Sequence, residues 1–228
     1  MRTRRRIHSH PVMSFRNFRA AFTLVELLTV LAVVGIVLGF VVPAISGMAR
    51  GTSLATAGNT VNNMAGLARQ HAMSRNTLTA LLVLGNQGTD SDYRACAILE
   101  YKRGAGWSQI GKWETLPTGI TVDSGNTQDC SFLLRSPDPF PFLTATNQSN
   151  PPILFQGVPV SSGAYAARIF TPGGGLQNPG DPAQIRLVEG FVEGGTIRYT
   201  HRNAAGQPAN YFDIAIVGAT GATKISRP

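Results

Sequence analysis

Few residues in this chain of 228 could do chemistry, and one of them stands where a charge is costly. Glu26 interrupts the run Leu24-Val25-Glu26-Leu27-Leu28-Thr29-Val30-Leu31-Ala32-Val33-Val34-Gly35-Ile36-Val37-Leu38-Gly39-Phe40-Val41-Val42. A carboxylate in an apolar helix is expensive to bury alone, so it marks a candidate functional position whose partner has to be found. The histidines, His8, His10, His71 and His201, form no group with Cys or acidic residues at metal-ligand spacing. Thr171-Pro172-Gly173-Gly174-Gly175 is Gly-rich but lacks the Gly-Lys-Ser/Thr of a phosphate loop, so a turn at a strand end is expected. There is no Gly-x-Ser-x-Gly elbow and no pair of carboxylates placed for acid–base work. The sequence therefore predicts no enzyme, no catalytic residue, no metal and no cofactor. The two cysteines, Cys96 and Cys130, are compatible with one disulfide in an oxidising compartment, or with two buried thiols.

The element that carries Glu26 is a hydrophobic helix. Residues 22–45 are long enough to cross a bilayer, which takes about 20 apolar residues, and in lipid only a helix satisfies the backbone. Arg2, Arg4, Arg5, Arg6, Arg16 and Arg19 precede it with no acidic residue among them. By the positive-inside rule they hold the N-terminus in the cytoplasm and place the chain beyond Ile45 outside. They also account for most of the net charge of +8, because the other 14 of the 20 basic residues face all 12 acidic ones. The body is close to neutral, and its charge gives no argument for a polyanionic partner. Gly35 and Gly39 form a Gly-x-x-x-Gly pair that permits close helix approach. Pro43 should kink the helix, and with Gly39, Gly47 and Gly51 nearby the stretch 39–51 is expected to be loosely helical.

Helical spacing resumes over 46–76. Leu54, Ala57, Val61, Met64, Ala65, Ala68 and Ala72 mark one face, and the helix should stop near Ser74-Arg75-Asn76. Beyond it, short runs of strand character alternate with turn residues. They are 78–84, 94–102, 107–114, 118–123, 130–135, 152–156, 166–171, 184–189, 196–202 and 211–217. Residues 136–152 hold five prolines and read as a long irregular loop. The low share of charged residues (14%), with 25 Gly and 14 Pro, agrees with a body of strands and turns. The fold class expected is α+β: a long N-terminal helix whose second half packs on antiparallel β-sheets.

Ala20-Ala21-Phe22-Thr23-Leu24-Val25-Glu26-Leu27-Leu28, after a basic leader, resembles the cleavage and methylation segment of type IV prepilins and type II secretion pseudopilins. In that family the residue before the cut is usually Gly; here it is Ala21. The resemblance implies a pilin-like fold and a leader, 1–21, removed by a prepilin peptidase between Ala21 and Phe22. Phe22 would then be N-methylated, and Glu26 would pair with the Phe22 amine of a neighbouring subunit. A Pro is common in the family at the place of Pro43. Leu67-Ala68-Arg69-Gln70-His71-Ala72-Met73-Ser74-Arg75-Asn76 is similar to the helix end of the GspH/FimT group of minor pseudopilins. Trp107 to Gly119 resembles pseudopilin-like proteins of the Verru_Chthon cassette type. The domain plan implied is a leader (1–21), a transmembrane helix (22–45), an amphipathic helix (46–76) and an exported β-rich domain (77–228).

The function implied is a structural minor subunit of a type II secretion or type IV pilus-like filament. It would lie in the inner membrane with its C-terminal domain in the periplasm. Its partners would be the peptidase, the membrane and other pilin or pseudopilin subunits. Two alternatives stay open: a DNA-uptake or adhesion subunit, and an anchored domain that does not assemble. Nucleic acid is not expected as a partner, since the tail after Thr220 offers only Lys224 and Arg227, with Arg198 and Arg202 on one strand face. A secretory signal cut after Ala44-Ile45-Ser46 has the small residues, but the apolar stretch exceeds the usual ~7–15 residues and Glu26 interrupts it; neither it nor a plain membrane anchor explains Phe22-Thr23-Leu24-Val25-Glu26 directly after a basic leader.

Overall fold

The computed structural model describes residues 23–126, 128–133, 153–160, 164–181 and 183–227; over 39–51 it describes the helical backbone alone. The chain divides into two compact units, Met1–Ser46 and Gly47–Pro228. Helix α1 (Leu24–Arg75) spans the boundary between them.

The stretch 39–51, expected to be loose, is helical throughout, and α1 runs without interruption past Pro43. Helix formation is cooperative. A break between two good helical segments would create two new ends with unsatisfied backbone groups, a larger penalty than a few poor formers impose. The last turn stops as the sequence implies. Asn76 adopts a positive φ of 51°, and the Thr77 amide reaches back to the Ala72 carbonyl at 3.2 Å. This is a Schellman closure, with Asn in the left-handed position usually given to Gly.

In the second unit, α1 packs its small face onto two antiparallel sheets. Leu54, Ala57, Val61, Met64, Ala65, Ala68 and Ala72 are all buried in one core. Gly58 takes this close approach to its limit: a Cβ there would lie 2.5 Å from the Phe212 ring. The first sheet is built from β1 (Thr79–Leu84), β2 (Ala95–Lys102), β3 (Gly106–Thr115) and β7 (Tyr165–Phe170), in the order β3-β2-β1-β7. The second contains β4 (Ile120–Val122), β8 (Gln184–Glu193), β10 (Tyr211–Ile216) and β11 (Thr223–Ser226), in the order β11-β10-β8-β4. Strand β9 (Thr196–Tyr199) folds back on β8. A two-residue pair, β5 (Leu154–Phe155) and β6 (Val158–Pro159), forms a small separate hairpin. The expected α+β architecture is present.

β1 shows why its sequence, Thr79-Ala80-Leu81-Leu82-Val83-Leu84, does not alternate: it is buried on both faces. Leu81 and Val83 join the core under α1. Ala80, Leu82 and Leu84 join a second core with Trp107, Ile153 and Phe155. There Trp113 meets Phe155 edge-on at 5.1 Å and donates its indole N–H to the Leu154 carbonyl at 2.7 Å.

Two of the strands expected from sequence are corrected. Residues 130–133 form turns, because the Cys130 amide bonds to the Asn126 carbonyl and the Leu133 amide to the Cys130 carbonyl; residues 134 and 135 lie outside the described residues. The run 196–202 ends as a strand at Tyr199. Asn203 then accepts the amides of Ala205 and Gln207 on its side-chain oxygen, which turns the chain. The proline-rich loop 136–152 lies outside the described residues.

Candidate functional site

Thr23 and Glu26 form a reciprocal cap at the start of α1. The Glu26 Oε2 accepts the Thr23 amide and the Thr23 hydroxyl, each at 2.9 Å. In return the Thr23 Oγ1 accepts the Glu26 amide at 3.2 Å. The first helical bond, from the Leu27 amide to the Thr23 carbonyl, is 3.2 Å long. This is a capping box, which satisfies two of the donors left bare at a helix start. Sequence reasoning found Glu26 but not Thr23, although Thr-x-x-Glu before an apolar run is the pattern that announces such a box.

Around this cap the helix is apolar on every side. Leu24 is 77% exposed, Leu28 62%, Leu31 62% and Ile36 62%, with Val25, Leu27, Val30, Val33, Val34, Val37 and Leu38 also exposed. A helix apolar all round has no favourable state in water and must be covered by lipid or by other helices. The Thr29 hydroxyl is returned to the Val25 carbonyl at 2.8 Å, which hides its polarity. Among the described residues no helical span is long and apolar enough to cross a membrane. Described side chains on this segment end at Leu38, whereas the apolar sequence continues to Val42. Gly35 has nothing within 4 Å of the place a Cβ would occupy. Ala21 and Phe22, the expected cleavage and methylation residues, lie outside the described residues, as does the side chain of Pro43.

The other candidate residues are not gathered into this site. Cys96 and Cys130 are both buried and unbridged, so of the two readings the structure holds free thiols. Cys96 sits in β2, whereas Cys130 lies by the second sheet, its sulfur accepting the Arg186 amide at 3.4 Å. Burial pushes both thiols up to about 12. The Gly-rich stretch closes as a turn: the Gly174 amide bonds to the Thr171 carbonyl and the Thr171 amide to the Gly175 carbonyl, both at 2.8 Å. His71 Nε2 lies 3.2 Å from a Glu100 carboxylate oxygen. An open groove of about 270 Å³ between α1 and β2–β3 is lined by Met64, Leu67, Ile98 and Ile110, with His71, Lys112 and Glu114 also on its wall. Among the described residues no group of three or more His, Cys, Asp or Glu could hold a metal.

Arg69, in the segment that ends α1, acts as a brace. Its Nε donates to the Thr220 carbonyl at 2.7 Å and to the Gly174 carbonyl at 3.2 Å. It thus ties α1 to the turn that follows β7 and to the turn between β10 and β11. Three of the four cations near the C-terminal strands make contacts within the domain. Arg198 pairs with Glu193 at 3.4 Å, Arg202 lies over the Tyr199 ring and Arg227 over Phe212.

A polar cluster on the second sheet had no sequence signal beyond alternation. Arg186 grips Asp213 with two bonds, Nε to Oδ1 at 2.8 Å and Nη2 to Oδ2 at 2.7 Å. Its Nη1 pairs with Asp129, and its guanidinium lies 4.1 Å from the Tyr211 ring centroid. Hydrogen bonding to Asp213 raises the Arg186 pKa further. Asp123 accepts the Tyr199 hydroxyl at 2.8 Å and the Gly125 amide at 3.0 Å. Burial nevertheless lifts its carboxyl above the usual range. These bonds pin the turns after β4 onto β8–β10.

Residues 16–42 match the family model of the prokaryotic N-terminal methylation motif. No curated protein matches the chain. Among solved structures it is similar to the minor pseudopilin EpsH from the Type 2 Secretion System of Vibrio cholerae, at 10% identity over 77% of this chain and 98% of that one, with a TM-score of 0.41. It is also similar to the type IV minor pilin FimU of Pseudomonas aeruginosa, at 14% identity over 79% and 96% of the two chains, with a TM-score of 0.42.

Proposed function

We propose that this chain, whose N-terminus carries the methylation motif of the type IV pilin and pseudopilin group, is a minor pseudopilin-like structural subunit of a secretion or pilus-like filament. The observation that carries the reading is a coincidence on one segment. The methylation motif, 16–42, covers both the Thr23–Glu26 cap and an apolar helix with no covering of its own. In the precursor, the basic leader stays in the cytoplasm and the helix from Phe22 to about Ile45 sits in the inner membrane. The second unit lies in the periplasm. Prepilin peptidase cuts between Ala21 and Phe22 and methylates the new amine. In the filament, lipid is exchanged for neighbouring helices of the same kind, and the Glu26 carboxylate meets a neighbour's Phe22 ammonium. Two charges that are each costly in an apolar medium are tolerated together.

The test is assembly of the full chain in its own membrane. Glu26→Ala removes a charge from an apolar helix and should leave insertion intact. Chemical crosslinking to other filament subunits should fall sharply. Undiminished crosslinking would show that Glu26 has no part in assembly.

A further inference from the structure

We propose that the groove between α1 and β2–β3 receives Phe191 from a second copy of this chain, so that the β8–β9 hairpin of one copy docks on the helix–sheet seam of the next. The inference rests on the filament reading and deepens it by naming one contact and the partner that makes it. The groove has a volume of about 270 Å³ and an apolar floor of Met64, Leu67, Ile98 and Ile110, with Lys112 and Glu114 on its wall. An apolar space of ~150 Å³ already takes up benzene, so this one admits a phenyl ring. Lys112 and Glu114 have no ion-pair partner among the described residues. Phe191 has the complementary surroundings. It is 54% exposed on the part of β8 that pairs with β9. Arg198 stands directly opposite it and Glu193 lies two residues further on, so both share its strand face. These two charges are exposed and 3.4 Å apart. At such a surface an ion pair contributes little, and its members are free to exchange partners. With Phe191 seated in the groove, Glu193 is the match for Lys112 and Arg198 the match for Glu114. Other exposed apolar groups lack this pattern. The β5–β6 hairpin, with Leu154 and Val158, carries no charge, and Ile225 stands between two bases, Lys224 and Arg227. The knob and the groove lie on different elements, so the contact is heterologous. Repeated from copy to copy, such a contact builds a ring or a filament rather than a two-fold pair.

The experiment uses two differently tagged full-length copies produced together in their native membrane. One copy carries the photo-crosslinker p-benzoylphenylalanine in place of Phe191. After illumination, mass analysis of the joined peptides shows where the probe lands. The expected site is on the other copy, within residues 64–67 or 110–114. Lys112→Glu in the receiving copy should lower this product about tenfold, because it brings like charges together. Glu193→Lys in the probe copy should then restore it. Both changes are at exposed positions, and the rescue shows that neither protein has merely failed to fold. A probe that joins its own copy, a different protein, or another part of the second copy overturns the proposal. So does a groove product that ignores Lys112→Glu, since the charge match is what selects the occupant. Chemical crosslinking to other filament subunits is measured on the same samples. If it persists while the probe misses the groove, this contact is wrong and the filament reading stands; if both are lost, both are wrong.

Discussion

Gly58 and Gly66 lie on the same helix and should respond oppositely to the same methyl group. At Gly66 a new Cβ meets nothing within 4 Å. Gly66→Ala should therefore gain the helix-propensity difference, about 0.8–1 kcal/mol. At Gly58 the Cβ would stand 2.5 Å from three carbons of the Phe212 ring, about 1 Å inside normal carbon contact. That ring is 1% exposed and has the Arg227 guanidinium 4.5 Å from its centroid, so it cannot swing into open space. Overpacking of this kind costs about 1–3 kcal/mol, and a full 1 Å overlap belongs near the upper end. After the propensity gain, Gly58→Ala should lose about 1–2 kcal/mol, which puts the two variants ~2–3 kcal/mol apart. The assay is thermal unfolding of a fragment, residues 51–228, that contains nearly all of the second compact unit. For a domain of this size the gap corresponds to roughly 5–10 °C in Tm. If Gly58→Ala melts as high as Gly66→Ala, the close helix–sheet contact is wrong.

Asp123 is predicted to make the domain more stable in acid. Burial raises its folded-state pKa above the unfolded value, so its contribution is fully present below about pH 3.9 and is lost as pH rises through the folded value. Asp123→Asn keeps an oxygen for Tyr199 and the Gly125 amide. It should flatten that part of the pH profile and be the more stable form at pH 7, as checked by urea unfolding from pH 3 to 8. Arg186→Met strands Asp213, which is 7% exposed, and should cost about 3–5 kcal/mol. Arg186→Lys should recover only part of this, because one ammonium cannot reproduce the two-bond grip; urea midpoints of the three proteins decide. Cys96 and Cys130, unbridged and with pKa values pushed up to about 12, should resist Ellman's reagent at pH 8 while folded and both react in urea. Two unreactive sulfurs in urea without reductant would mean a disulfide.

Periodicity made the helix legible in the sequence. The face from Leu54 to Ala72 obeys a 3.6-residue spacing, and every member assigned to it is buried. Asn76 as a stop was legible for a chemical reason, since Asn tolerates the left-handed conformation it adopts. Strands with flanking turn residues were placed to within a residue or two, as at β1, β2 and β10. The features that escaped depend on contacts distant in sequence. Residues 130–133 look like a strand, but their amides are taken locally and by the Gln184 carbonyl. β11 has the unremarkable sequence Thr223-Lys224-Ile225-Ser226 and is a strand because β10 offers it an open edge. The Arg186–Asp213 pair spans 27 residues of chain, and nothing local announces it. At the candidate site, Glu26 was visible as a charge out of place. Thr23 was overlooked because a hydroxyl before an apolar run draws little notice until its bonds are seen.

The central claim is that this chain is made as a precursor and cut ahead of an apolar, Glu26-bearing helix. It is tested most directly by intact-mass and N-terminal analysis of the protein taken from its native membrane. The expected result is a mature chain that begins at Phe22, with its amine methylated. A chain that keeps Met1, or one that begins at Gly47, would contradict it.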